Sequence, residues 1–326
     1  MQSHSTPGVL ILGANGRFGS AVTNAFHNDG WRVFAQSRSP LRMPAHDVTA
    51  IICDALDTQA VLQAVSGQID VVVNALNPPY TEWDRRVPAL GQAALHLAGS
   101  TGALLMLPGN VYNFGSQLPA VLEEQTPQPA DTPKGRIRLA LEQAMRASAA
   151  QGTRSVVIRA GDFLGGTGPG TWMDMVIAKD LGKGRLVYPG PLGLEHAWAY
   201  LPDLAKVFVA VARRRDALPP HEVFHYGGLT STGMAMTDAL IHCAGRPLQV
   251  RQLPWWQLRL ASPFSPMLRA IVEMRYLWQR PHRLSEDKLA TLIGTVPRTE
   301  LHEVMRAVLA GDGVIEKEAA PFHSPS

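Results

Sequence analysis

Residues 9–19 read VLILGANGRFG, and this short stretch constrains the fold more than any other in the chain. The run VLIL is an apolar strand, and Gly13, Gly16 and Gly19 follow it at the spacing G-x-x-G-x-x-G. Phe18, Val22 and Phe26 then recur at helical spacing until Gly30. A strand that runs straight into a helix needs glycines for three reasons: a sharp turn, close approach of backbone to a pyrophosphate, and tight helix–strand packing. The helix aims its N-terminal amides and the positive end of its dipole at the phosphates. The expected dinucleotide contacts in this loop are Gly13, Asn15, Gly16, Arg17, Phe18 and Gly19.

Further apolar runs at 31–36, 47–54, 69–75, 103–109 and 155–161 predict five more strands, with helices over about 84–99 and 134–150. None of these runs alternates with polar residues, so both faces of the sheet must be covered. The pattern predicts an α/β fold: a doubly wound parallel sheet with helices on either side. Beyond about residue 160 the alternation breaks. Pro and Gly cluster at 165–170 and 189–193, an arginine- and tryptophan-containing helical stretch spans 255–280, and a late strand is expected at 222–228. The expected organisation is a dinucleotide-binding domain over 1–160, late sheet strands interleaved with a smaller, mostly helical substrate lobe over 161–315, and a disordered tail over 316–326.

A hydrophobic content of 46% with 17% charged residues gives a chain of 326 residues enough material for such a core. The net charge of +3 comes from scattered cations, which argues against a nucleic-acid partner. Cys53 and Cys243 provide neither zinc spacing nor a disulfide framework, as suits a reducing cytoplasm. No apolar run approaches the length of a membrane span, and a soluble cytoplasmic protein with a small-molecule substrate and no membrane partner is expected.

The end of the second strand decides which dinucleotide is bound. An NAD site usually presents an acid there to the ribose, whereas NADP requires cations. This chain has Gln36, Ser37 and Arg38, with no acid before Asp47, and Arg17 adds a second guanidinium from the glycine loop. The expectation is NADP rather than NAD, with Ser37 and Arg38 at its phosphate. Asp54 could receive the adenine amino group, and Asp57 could do so or cap the next helix.

Further segments follow in a telling order: CDALD, VVNALNPP, GNVYNFG, VIRAGDFLGGTGPGT and AWAYLPDLAKVFVAV. With the glycine loop, they resemble the extended short-chain dehydrogenase/reductase superfamily, and within it the NAD(P)-dependent epimerase/dehydratase group. The resemblance implies a Rossmann-type domain, a nicotinamide cofactor passing Ala75, a sugar-nucleotide-like substrate beneath the C-terminal lobe, and a homodimer. It also implies a Ser/Thr–Tyr–Lys constellation, in which the tyrosine is the acid/base and the lysine lowers its pKa and holds the ribose. Glu142 matches the family's glutamate and sets the register. The tyrosine position then falls on Lys134, the lysine position on Arg138 and the Ser/Thr position on Pro108.

All three positions depart from the pattern. Arg138 can hold a ribose but cannot give up a proton. Lys134 is either an acid/base whose pKa is depressed by Arg136 and Arg138, or a surface lysine at a helix start. Tyr112 is either a proton donor beyond the fifth strand or an aromatic packed under its loop. His196, Tyr200, His225 and Tyr226 could line the cleft, Trp172, Trp255 and Trp256 could wall it or belong to the core, and Asp203 is expected to cap a helix. Two functions remain open: an NADP-dependent oxidoreductase or epimerase/dehydratase-like enzyme with non-standard acid/base groups, or a non-catalytic NADP(H)-binding redox sensor.

Overall fold

The computed structural model describes residues 6–42, 47–166 and 170–311. Seven strands form one parallel sheet: β1 (Gly8–Leu12), β2 (Arg32–Ser37), β3 (Val48–Ile52), β4 (Val71–Asn74), β5 (Leu104–Gly109), and the later Ser155–Arg159 and His221–His225. With the short strand β6 (Val121–Leu122) counted off the sheet, the last two are β7 and β11, separated by three strands of the C-terminal lobe. The order is β11-β7-β5-β4-β1-β2-β3, so the direction of winding reverses between β1 and β4. That reversal opens a crevice at the carboxyl ends of the strands, where ligands of such sheets bind.

Alternate residues of each strand feed two separate cores. Val9, Ile11, Val33, Val71, Val73, Met106, Val156 and Ile158 face α1 (Arg17–Asn28) and α5 (Leu201–Arg213), meeting Phe18, Val22, Phe26 and Phe208. Leu10, Leu12, Phe34, Val72, Leu105 and Val157 face the opposite way. They meet Val61 of α2 (Thr58–Ala64), Trp83, Val87 and Leu97 of α3 (Trp83–Thr101), and Leu141 and Met145 of α4 (Pro133–Ser148). The unalternating apolar runs of β1, β2, β4, β5 and β7 therefore reflect burial on both faces. The edge strand β3, expected to be covered likewise, leaves Thr49, Ala50 and Ile52 exposed, because no strand or helix closes that rim among the described residues. The smaller lobe contributes β8 (Asp162–Leu164), β9 (Arg185–Tyr188), β10 (Glu195–Tyr200), β12 (Leu229–Thr232), α6 (Gly233–Ala244) and β13 (Gln249–Gln252). It is completed by α7 (Trp255–Ala261), α8 (Pro266–Glu273), β14 (Arg283–Leu284), α9 (Asp287–Ile293) and α10 (Leu301–Gly311).

Two expectations about elements need correction. The stretch 255–280 is not one helix: Pro263 and Pro266 interrupt it, because proline cannot donate an N–H inside a helix. Asp203 does not cap α5, whose N-cap is Tyr200. Its buried carboxylate instead accepts from the Thr299 amide at 2.7 Å and so ties the C-terminal segment to the sheet domain. The tail 316–326 and Asp47's neighbours at 43–46 lie outside the described residues.

Candidate active site

The glycine loop turns at Gly13, whose φ of +80° is a left-handed conformation that a side chain would strain. A Cβ on Gly19 would overlap the Gly13 carbonyl oxygen, and one on Gly16 would come within 3.2 Å of the same atom. The loop therefore needs glycine at positions 13 and 19 to pack this tightly, has little room at 16, and leaves the start of α1 open to a pyrophosphate. Phe18 is buried against Phe208, their ring centroids 4.8 Å apart, and anchors the helix from below. The Asn15 amide bonds the backbone oxygens of Ser39 and Pro40 and accepts from Arg42 N, fixing the segment that follows β2. Ala75 sits just past β4, with its carbonyl against Gly13.

At the end of β2, Gln36 is buried beneath the loop: its side-chain oxygen accepts from Gly13 N at 3.0 Å and its amide donates to Cys53 O at 2.7 Å. Ser37 is also buried, and its hydroxyl donates to Ser39 O. Arg38 is exposed, with no partner among the described residues. Arg17 is differently placed. It pairs with Asp174 at 2.9 Å and donates to Gly165 O at 2.7 Å, which clasps the glycine loop to the other lobe. Beside this clasp lies a small cavity of about 50 Å³, lined in part by Arg17, Thr171, Asp174 and Tyr200. Asp54 is exposed and accepts from Leu56 N, whereas Asp57 is the N-cap of α2.

The positions that carry catalysis in the resembled family are filled by a different arrangement. Lys134 is buried, and its Nζ lies 2.5 Å from Glu273 Oε2 and 3.3 Å from Ala270 O, both on α8. Its dominant neighbour is thus a carboxylate, not the arginines that the sequence suggested, and it is not a surface lysine. Arg138 is buried with its guanidinium 4.7 Å above the Trp83 ring, and its Nε has no hydrogen-bond partner. Burial pulls its pKa down, and the Tyr112 and Glu142 groups partly restore it. Glu142 itself pairs with Arg159 at 2.5 Å deep in the core, and Arg159 lies 3.3 Å from His225 Nε2. His225 is therefore a core residue rather than a cleft residue.

Tyr112 is buried, and its hydroxyl meets that of Tyr80 at 2.9 Å. Burial pushes the Tyr80 phenol up to about 12, with the hydrogen bond to Tyr112, and after it the Arg138 charge, acting against the shift. Tyr112 is raised well above the usual tyrosine value, first by burial and then by Tyr80 and Asp162. Neither phenol ionises near neutrality, so the pair can donate hydrogen bonds but cannot act as a base. Asp162, on β8, is held by His196 at 2.8 Å, and its charge also helps to raise Tyr188 and Tyr276. His196 stacks on Trp278 with centroids 4.2 Å apart, and Trp172 packs edge-on to the same indole. Trp172 and Trp255 are therefore wall and core together, whereas Trp256 is exposed.

Tyr80, Asp162, Glu273 and Trp278 were not singled out from sequence. Each meets its partner from a distant segment, as Lys134 meets Glu273 across 139 residues, and no local spacing records such a meeting.

Comparison with known proteins agrees with this fold. A Streptomyces sp protein named 3-diazoavenalumate denitrifying reductase is 28% identical over 314 residues, covering 89% of this chain and 95% of that protein. Among solved structures, UDP-glucose 4-epimerase from Bifidobacterium longum in complex with NAD+ and UDP superimposes with a TM-score of 0.74 at 16% identity. The match covers 94% of this chain and 98% of that one. Bordetella bronchiseptica WbmH in complex with NAD+ gives 0.73 at 16% identity, covering 94% and 98%. The family model described as the NAD dependent epimerase/dehydratase family matches residues 9–227, which is 219 of 326, and the chain belongs to that family.

Proposed function

We propose that this chain is an NADP(H)-dependent reductase that works without a tyrosine–lysine acid/base pair. The observation that carries this reading is the Tyr80–Tyr112 pair, two phenols held neutral beside a buried arginine. Oxidation of a carbinol, the step that opens an epimerisation, needs a base to take the hydroxyl proton. Here no free base stands at the family's position, because Lys134 is occupied by Glu273 and Arg138 cannot deprotonate. Reduction makes the opposite demand: an acceptor is held by donors while its carbon is attacked, and neutral phenols serve that purpose.

The residues present fit a dinucleotide. The glycine crossing leaves room for a pyrophosphate, the unpaired Arg138 Nε suits a ribose hydroxyl, and the end of β2 offers Arg38 where NAD sites carry an acid. Arg17 is already neutralised by Asp174, so Arg38 is the cation left for a 2′-phosphate. When bound, the nicotinamide supplies hydride. Tyr112 and Tyr80 would orient the acceptor, Arg138 would hold the ribose, and Trp83 and Trp278 would keep water out. The relative's name extends the range of acceptors, because hydride added to a diazonium carbon expels dinitrogen and leaves no oxyanion to protonate. The substrate class proposed is therefore an electron-poor carbonyl or diazo compound.

Calorimetric titration with NADPH, NADP, NADH and NAD, alongside an Arg38→Ala variant, tests the cofactor assignment. A preference for the phosphorylated forms that disappears in the variant supports it, and equal affinity for all four refutes it. NADPH oxidation is then followed against carbonyl and diazo panels. Tight binding with no turnover on either panel would replace the reductase with the redox-sensor reading.

A further inference from the structure

Residues 255–273 form a helix–turn–helix that projects from the lobe, with α7 and α8 packed on each other and the turn Ser262–Phe264 between them. Its outer side is apolar: Trp256 is 65% exposed, Leu260 69%, Phe264 90% and Met267 40%. Trp256 and Leu260 lie one turn apart on one helix face, and Phe264 stands at the tip between Pro263 and Pro266. Single exposed apolar residues are ordinary, but four within twelve positions make a patch.

The sequence segment that carries the patch is one-sided in charge. Residues 246–283 hold seven arginines and one acid, a net +6 in a chain whose total is +3, so the remaining residues carry −3. The single acid, Glu273, is turned inward onto Lys134. No arginine of the segment pairs with a carboxylate among the described residues. Arg246 and Arg269 donate to the backbone oxygens of Leu181 and Pro263, Arg251 donates to the Gln249 amide, and Arg275 lies over the Trp255 ring. Arg259 is exposed and has no partner among the described residues.

We propose that this face docks on an anionic lipid surface, with Trp256, Leu260, Phe264 and Met267 entering the interfacial layer and Arg259 and Arg269 meeting headgroup phosphates. An exposed tip with diffuse positive charge suits a surface of many equivalent anions better than one matched partner groove. No helix among the described residues is long and apolar enough to cross a membrane, so the docking is peripheral. The proposed docking departs from the sequence expectation of no membrane partner. Because α8 also supplies Glu273 and the Ala270 carbonyl to Lys134, docking would bring one wall of the cleft to the lipid surface.

Co-sedimentation of the full chain with vesicles of phosphatidylcholine alone, or of phosphatidylcholine mixed with phosphatidylglycerol, tests this. Binding is expected to the mixed vesicles and to be weakened by high salt. Phe264→Ser should weaken it about fivefold, and Arg259→Gln with Arg269→Gln about tenfold or more. Met234→Ser, an exposed methionine on α6, should leave it unchanged, and circular dichroism should show every variant folded. Absence of binding to either vesicle overturns the proposal. So does a dimer in vesicle-free solution that Phe264→Ser dissolves, which would make a second copy the occupant.

Discussion

Lys134 Nζ and Glu273 Oε2 lie 2.5 Å apart and join the start of α4 to the end of α8, so the helix that carries the family's catalytic positions is bolted to the lobe above it. Removing one partner leaves the other charge buried and unpaired. Glu273→Gln is expected to cost about 3 kcal/mol in denaturant unfolding, and the double variant Lys134→Met/Glu273→Leu less than the sum of the two single changes. If Lys134 positions the helix rather than transferring protons, Lys134→Met lowers Tm but keeps NADPH oxidation within a few-fold of the parent. A collapse of turnover in a folded protein would assign the proton to it instead.

Tyr112→Phe removes the hydroxyl that meets Tyr80 but keeps the buried ring. Turnover on the best acceptor is expected to fall about tenfold to a hundredfold, with NADPH affinity unchanged, as measured by steady-state kinetics and calorimetry. Unchanged kcat would show that the phenol pair has no part in holding the acceptor.

Gly19→Ala places a methyl into the Gly13 carbonyl, whereas Gly30→Ala meets nothing within 4 Å and pays only for its φ of +80°. The first change is expected to abolish dinucleotide binding or folding altogether. The second should cost about 1 kcal/mol and leave binding intact. Thermal unfolding with and without NADPH separates the two outcomes.

Two buried histidines make stability depend on pH. Burial and the Arg159 charge hold His225 down to about 4, and burial with His196 beside it holds His282 down to about 3, against an ordinary 6.5. Both rings stay neutral in the fold at pH values where the unfolded chain takes up protons. Stability is therefore complete above about 6.5 and is lost as pH falls toward 4. Each ring contributes on the order of 3 kcal/mol, so His225→Gln should flatten part of the slope in urea titrations between pH 7 and 4.5. A slope unchanged in that variant would refute the assignment.

The strands were legible from sequence because a strand buried on both faces leaves an unbroken apolar run, as in VLIL and VVVN, and the glycine loop was legible because its geometry excludes side chains locally. The floor of the candidate site was not. The partner of Lys134 sits on a helix 139 residues away, the partner of Tyr112 sits 32 residues before it, and Arg17's ion pair crosses between lobes. Spacing rules describe neighbours along one element, whereas these charges are neutralised by contacts that only the closed tertiary structure creates.

The seventh strand, His221–His225, pairs in parallel with Ser155–Arg159 at the rim of the sheet, although residues 160–220, with three strands of the other lobe and α5, are synthesised between them. While the chain emerges from the ribosome, Val156, Val157 and Ile158 must therefore wait with an open backbone edge until α5 and this strand arrive. The seven-stranded sheet is complete only once His221–His225 is in place. A cut at residue 160 is expected to leave Ser155–Arg159 with an unpaired backbone edge, prone to pairing with copies of itself.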